Sequence, residues 1–142
     1  MEKIKIKKLD ENAVLPFYAK KGDAGVDFSS IKRYLIKPGE RCLIETGLAF
    51  EIPEGYELQI RPRSGLALKK GISIVNSPGT IDSGYRGELG IILINHGEED
   101  FEINLGDKIA QGVFNKIENA QFEEVYELSK SDRGSGGFGH TG

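Results

Sequence analysis

The chain of 142 residues has no tryptophan, a single cysteine and two histidines. One thiol, Cys42, cannot build an intrachain disulfide framework or a cysteine-rich zinc site. No Cys-x-x-Cys pair occurs, so the ligand set of the zinc deaminases is missing. There is no excess of positive charge: the formal net charge is −3 and the pI about 5.5. General nucleic-acid binding on a basic surface is thereby excluded. No apolar run is long enough to span a bilayer. The start, Met1-Glu2-Lys3-Ile4-Lys5-Ile6, lacks the apolar core of a secretion signal. The expectation is a soluble, cytoplasmic protein with neither a membrane nor a nucleic-acid partner.

What the chain does have is a period of two. Ile4 and Ile6 alternate with Lys3, Lys5 and Lys7. Phe50 and Ile52 flank Glu51. Tyr56, Leu58 and Ile60 alternate with Glu57, Gln59 and Arg61, and Phe101, Ile103 and Leu105 with Glu102 and Asn104. Such alternation predicts half-buried strands. Turn residues separate them at Lys37-Pro38-Gly39-Glu40, Ile52-Pro53-Glu54-Gly55, His96-Gly97-Glu98-Glu99 and Leu105-Gly106-Asp107. Ile91-Ile92-Leu93-Ile94 is apolar on both faces and predicts a strand covered on both sides. Cys42, in an apolar run, reads as a small buried hydrophobe. Ser64 to Gly71 predicts one short helix, with Ser64 as N-cap, lysines in the last turn and a glycine stop. Many short strands with regular turns predict an all-β, jelly-roll-like β-barrel. Neither a repeat nor a linker interrupts it. The composition changes only after Lys130, so residues 1–130 read as one domain and 131–142 as a glycine-rich tail.

Four polar clusters stand out. Arg61-Pro62-Arg63-Ser64-Gly65 lies where a strand meets a helix, and arginine and hydroxyl donors there suit a phosphate. Asn76 to Glu88 reads as a hairpin holding an amide, a carboxylate and an aromatic ring. Gly106-Asp107-Lys108-Ile109-Ala110-Gln111 is a turn entering a strand with an inward glutamine. The last ten residues, Arg133 to Gly142, set Arg133 and Phe138 among five glycines. Glycines let backbone N–H groups converge on an anion, arginine forks onto phosphate oxygens, and a phenylalanine can cover a flat ring. That combination suggests a lid over a ligand with a phosphate end and a ring end. Taken singly, each cluster also has an ordinary structural reading: a capped helix, an Asx-turn at Asp82, a plain turn, a low-complexity tail.

Together with Ala24 to Phe28, the four clusters resemble, in order, the five motifs of the trimeric dUTPase family. The first is Ala24-Gly25-Val26-Asp27-Phe28. The second is Pro62 to Ala67, the third Gly79 to Glu88, the fourth Gly106 to Gln111 and the fifth the tail. The resemblance implies a jelly-roll-like β-barrel in a homotrimer, with active sites shared between subunits and the tail reaching over from a neighbour. It implies hydrolysis of dUTP to dUMP and pyrophosphate, with Mg²⁺ carried mainly by phosphate and water oxygens and Asp27 as either a water-mediated or a structural contact.

By the same resemblance Asp82 is the catalytic carboxylate that deprotonates the attacking water. Asn76 and the adjacent backbone match the hairpin that reads uracil, Gly79, Thr80, Ile81 and Gly90 are further substrate contacts, and Tyr85 packs on the deoxyribose. Arg63, Ser64, Gly65 and Gln111 match phosphate contacts. Arg133 matches the γ-phosphate arginine, and Phe138 with Gly139 the cover over the base. Val26, Gly84 and Lys108 depart from the commoner family residues. A dCTP deaminase-type enzyme on the same fold and a non-catalytic nucleotide-binding trimer are the alternatives. The tail, Asp82, Arg63 and Arg133 favour the hydrolase over both.

Overall fold

The structure, a computed structural model, describes residues 1–142. Ten strands and one helix follow in the order β1 (Lys5–Lys8), β2 (Val26–Ser29), β3 (Tyr34–Ile36), β4 (Arg41–Glu51), β5 (Tyr56–Arg61), α1 (Ser64–Lys70), β6 (Ile72–Ile74), β7 (Gly79–Ile81), β8 (Glu88–Asn95), β9 (Phe101–Ile103) and β10 (Lys108–Lys116). They form two four-stranded antiparallel sheets, β1-β4-β8-β6 and β2-β10-β5-β7, and a small β3-β9 pair. The sheets enclose one core but share no ladder, so the jelly roll is a two-sheet sandwich rather than a closed ring.

The alternation read from the sequence sorts residues into that core. Leu58 and Ile60 of β5, Phe50 of β4, Ile52 just after it, and Ile103 of β9 are all buried. Phe28 of one sheet meets Phe50 of the other edge to face, with ring centroids 5.9 Å apart. Each such buried side chain contributes about 1.5–3 kcal/mol relative to exposure. Gly112 on β10 leaves the space that the Phe28 ring and Leu58 fill; a side chain there would overlap both.

Five expectations need correction. Ser64 is the first helical residue, and Arg63, in extended conformation, is the N-cap without a side-chain capping bond. Gly71 does end the helix, with φ +70 and its N–H turned back to Ala67. The Asn76–Glu88 segment is not a paired hairpin. β6 pairs with β8 and β7 with β5, so the chain crosses from one sheet to the other and back. β8 buries Leu89, Ile91, Leu93 and Asn95, while Gly90, Ile92 and Ile94 on its other face are only half-covered. Leu105 lies past the end of β9 and is exposed. Cys42 is half-buried rather than fully enclosed.

Asn95 is a buried polar hub. Its Nδ2 donates to the carbonyls of Ile36 (2.9 Å) and Glu99 (2.8 Å), and its Oδ1 accepts from the Gly97 N–H (2.8 Å). This folds the loop after β8 onto the C-terminal end of α1, where the His96 N–H donates to the Gly71 carbonyl at 2.9 Å. The helix that carries Ser64 and Gly65 is thus braced from behind.

Candidate active site

The first cluster gathers where β2, β10 and α1 meet. Asp27 sits on β2 opposite Gln111 of β10, which is in turn opposite Arg61 of β5. That register brings the end of β5, and Arg63 just beyond it, over Asp27. Arg63 Nε donates to Asp27 Oδ1 at 3.1 Å, and Arg63 Nη1 donates to the Lys108 carbonyl at 3.3 Å. Lys108 Nζ lies 3.3 Å from the other Asp27 oxygen. Gln111 Nε2 donates to the Pro62 carbonyl at 2.9 Å. Gly25 is tied to this arrangement, because a Cβ there would come within 2.6 Å of Gln111 Oε1.

These groups open onto a cleft of about 450 Å³ lined by Asp27, Arg63, Ser64, Gly65, Leu66, Lys69, Lys70 and Gln111. Three cations against one carboxylate make it locally positive on a chain of net negative charge. Lys69 and Lys70 were legible only as helix-ending lysines. Their place in this cleft follows from a helix too short to carry its last turn away from its first.

The second cluster sits at the opposite edge of the same sheet, three strand positions from β2, or about 14 Å at the usual strand spacing. Thr80, Ile81, Asp82, Tyr85, Glu88 and Gly90 line a smaller cleft of about 150 Å³. The turn that presents Asp82 is closed by its own bonds. The Tyr85 N–H donates to the Asp82 carbonyl at 3.1 Å. Arg86 Nη1 donates to the carbonyls of Ser83 (2.6 Å) and Tyr85 (3.2 Å). The Tyr85 hydroxyl donates to the Glu88 carbonyl at 2.8 Å, and Glu88 Oε1 accepts the Gly47 N–H at 3.0 Å. The Asp82 carboxylate is exposed and makes no side-chain bond of its own, so it can accept a proton from a bound water.

Asn76 lies outside both clefts, exposed at the turn before β7, where its Nδ2 comes 3.6 Å from a notional Cβ on Gly79. The third part is the tail. Beyond Ile117, whose N–H donates to the Gly55 carbonyl, the chain has no strand or helix. Arg133 Nε donates to the Gly136 carbonyl at 2.8 Å and Gly136 N–H returns to the Arg133 carbonyl. Phe138 is fully exposed with φ +50, and Gly139 follows at φ +78. One chain therefore brings Arg63, Ser64, Gly65 and Gln111 together with Asp27. Separately it brings Thr80, Ile81, Asp82, Tyr85 and Gly90 together. Arg133, Phe138 and Gly139 reach neither group. Asp82 and Arg63 therefore stand in separate clefts of the same chain.

Residues 11–142 match the dUTPase family. The chain belongs to that family. It is 59% identical over 140 residues to the deoxyuridine 5′-triphosphate nucleotidohydrolase of Nautilia profundicola, covering 99% of both chains. It is 57% identical to the enzyme of the same name from Clostridium acetobutylicum, covering 100% of this chain and 98% of the relative. Among solved structures it resembles the Staphylococcus bacteriophage 80alpha dUTPase with dUPNHPP, at 32% identity and a TM-score of 0.93, covering 100% of this chain and 99% of that one. It also resembles a mutant dUTPase of S. aureus phage phi11 described for its coordination of a structural Mg(II) ion, at 30% identity and a TM-score of 0.85, covering 91% and 100%. Within the dUTPase family, then, this chain covers 98–99% of the length of the Nautilia profundicola and Clostridium acetobutylicum enzymes.

Proposed function

We propose that the chain hydrolyses dUTP to dUMP and pyrophosphate. A water held by Asp82 attacks the α-phosphorus. Its oxygen bonds to that phosphorus, its proton passes to the Asp82 carboxylate, and the bond to the bridging α–β oxygen breaks to release pyrophosphate. The cell gains a low dUTP level, which keeps uracil out of DNA, and a supply of dUMP for thymidylate synthesis. The observation that carries this reading is the division of the polar residues into a cationic cleft and a carboxylate-bearing turn, in a chain of this family. Arg63, Ser64, Gly65 and Gln111 hold the phosphates. Asn76 and the backbone of Gly79, Thr80, Ile81 and Gly90 read the uracil edge, and Tyr85 closes on the deoxyribose so that a 2′-hydroxyl has no room.

Mg²⁺ fits this site as a companion of the substrate. No three His, Cys, Asp or Glu side chains stand together, and each oxygen of Asp27 already faces a cation. A hard ion that favours oxygen ligands is then held by phosphate oxygens and water, and Asp27 can still accept from one such water. When bound, Mg²⁺ neutralises and orients the triphosphate.

A single copy keeps its two clefts about three strands apart and its tail in solvent, which supports a homotrimer whose sites are assembled from different copies. Two further features support assembly. Phe122, Tyr126 and Leu128 are exposed in a segment that also carries Glu123, Glu124 and Glu127. An apolar groove of about 390 Å³, lined by residues such as Ile4, Ile6, Phe17 and Phe114, offers a surface that such exposed apolar side chains can cover. Residues 131–142 act as the lid, Arg133 on the γ-phosphate and Phe138, with Gly139, over the base.

Incubating the purified chain and Mg²⁺ with dUTP, dCTP, dTTP and UTP, while measuring pyrophosphate and ammonia, tests the proposal. Pyrophosphate from dUTP alone is expected. Ammonia from dCTP, or no turnover of dUTP, would overturn it.

A further inference from the structure

Tyr85 does not merely lie beside its cleft; it is folded back against its own turn. Its hydroxyl donates to the Glu88 carbonyl three residues on, at 2.8 Å. Between them lies Gly87, and the ring crosses the space a side chain would occupy. A Cβ on Gly87 would stand 2.5 Å from the Tyr85 hydroxyl, 2.7 Å from Cζ and 3.0 Å from Cε2. Contacts under 3.0 Å require something to move. The Gly87 backbone is not in the left-handed region, so alanine meets no backbone strain there. The three atoms nearest to a Cβ at position 87 all belong to the Tyr85 side chain.

From this we propose that Gly87 is a positioning residue that sets sugar selectivity through Tyr85, resting on the reading of Tyr85 as the ring that closes on the deoxyribose. The bare backbone at Gly87 and the Glu88 carbonyl together define one resting place for the ring. Glu88 is itself fixed, because its Oε1 accepts the Gly47 N–H at the irregularity of β4. Arg86 pins the other side of the turn through the Ser83 and Tyr85 carbonyls. The ring therefore has a floor at residue 87 and a tether at residue 88. By contrast, a Cβ on the neighbouring Gly84 meets nothing within 4 Å, so the requirement is local to Gly87. A half-exposed ring at the end of a flexible side chain swings away at little cost to the fold, and a displaced ring no longer fills the volume that excludes a 2′-hydroxyl.

The test is the ratio of kcat/KM for UTP to that for dUTP. Gly87→Ala is expected to raise this ratio by about fivefold or more, within what steric discrimination of one small group supplies. In a Tyr85→Ala background the same substitution is expected to change the ratio less than about twofold, since a shared partner makes the two effects non-additive. Tyr85→Phe, which keeps the ring and removes only the tether, should raise the ratio by less than Gly87→Ala does. If Gly87→Ala alone fails to fold, the Gly87→Ala, Tyr85→Ala double variant should fold, because the ring that meets the new Cβ is gone; a double variant that also fails to fold would overturn the proposal. Ring-proton NMR shifts of Tyr85 should move in Gly87→Ala without nucleotide present. Unchanged ring shifts, an equal loss for both nucleotides, or a full Gly87→Ala effect in the Tyr85→Ala background would overturn the proposal. A parent enzyme that turns over dUTP but does not prefer it to UTP would instead overturn the sugar-facing reading of Tyr85.

Discussion

Arg63 and Asp27 are paired within one chain: Arg63 Nε donates to Asp27 Oδ1 across 3.1 Å, with Lys108 Nζ 3.3 Å from the second carboxylate oxygen. The carboxylate gives the guanidinium a fixed direction before any phosphate arrives. Both side chains remain about one-third exposed, so the pair adds less than about 1 kcal/mol to stability. Asp27→Ala should leave the melting temperature nearly unchanged. It should lower kcat/KM for dUTP about tenfold, equivalent to about 1.4 kcal/mol of lost transition-state stabilisation. Steady-state kinetics beside a thermal melt checks this. A collapse of stability with unaltered kinetics in the folded fraction would mean the pair is purely structural.

Asp82 is the exposed carboxylate of a turn closed by Arg86 and Tyr85. Asp82→Asn keeps size and polarity but cannot take a proton. Turnover is expected to fall roughly 10²–10⁴-fold, the usual contribution of a general base, while binding of a non-hydrolysable dUTP analogue persists. Near-normal turnover in a variant shown to be free of parent enzyme would remove Asp82 from the base role.

The separation of the two clefts from the tail leads to a complementation experiment. A chain truncated after Lys130 should fold and assemble yet turn over dUTP slowly. Mixed with Asp82→Asn chains under subunit exchange, it should recover activity, because some sites then draw an intact Asp82 and an intact tail from different copies. Absence of recovery despite demonstrated exchange would contradict the shared site.

The tail bonds only to itself in the structure, through Arg133, Gly136 and their neighbours. Ordering it costs on the order of 1–2 kcal/mol per residue in backbone entropy before contacts offset it. Hydrogen exchange across residues 131–142 should slow with a dUTP analogue and Mg²⁺ but not with dUMP, which offers Arg133 no γ-phosphate. Equal protection by both would contradict a phosphate-driven lid.

Burial pushes the Cys42 thiol above its ordinary range, and the Glu40 charge adds to the shift in the same direction. The reactive thiolate is therefore scarce at neutral pH. Labelling of Cys42 by a thiol reagent at pH 7 should be much slower in the folded protein than in urea and should accelerate as pH rises. Equal rates folded and unfolded would contradict this environment.

Much of this architecture is legible in the sequence because it is local. Alternation along Tyr56 to Arg61 sorts Leu58 and Ile60 inward, and Gly71 ends α1 in the left-handed conformation that glycine favours. What escapes is the choice of partner. The glycines and proline between β6 and β7 look like a hairpin, but β5 and β8 compete for those strands and win. Ser64 looks like a cap, but the chain enters the helix one residue earlier, at Arg63. The candidate site divides the same way. Its residue types are visible as motifs, whereas the Asp27 pairing, the cleft-facing Lys69 and Lys70 and the demand for glycine at 87 arise from elements distant in sequence or from a ring orientation no pattern encodes.

Hydrolysis of dUTP in ¹⁸O-labelled water, with the products weighed by mass spectrometry, reaches the central claim most directly. Attack on the α-phosphorus by a water at Asp82 requires equal amounts of dUMP and pyrophosphate, with the label in dUMP alone. Label in pyrophosphate, release of single phosphates, or loss of ammonia from the base would contradict the account.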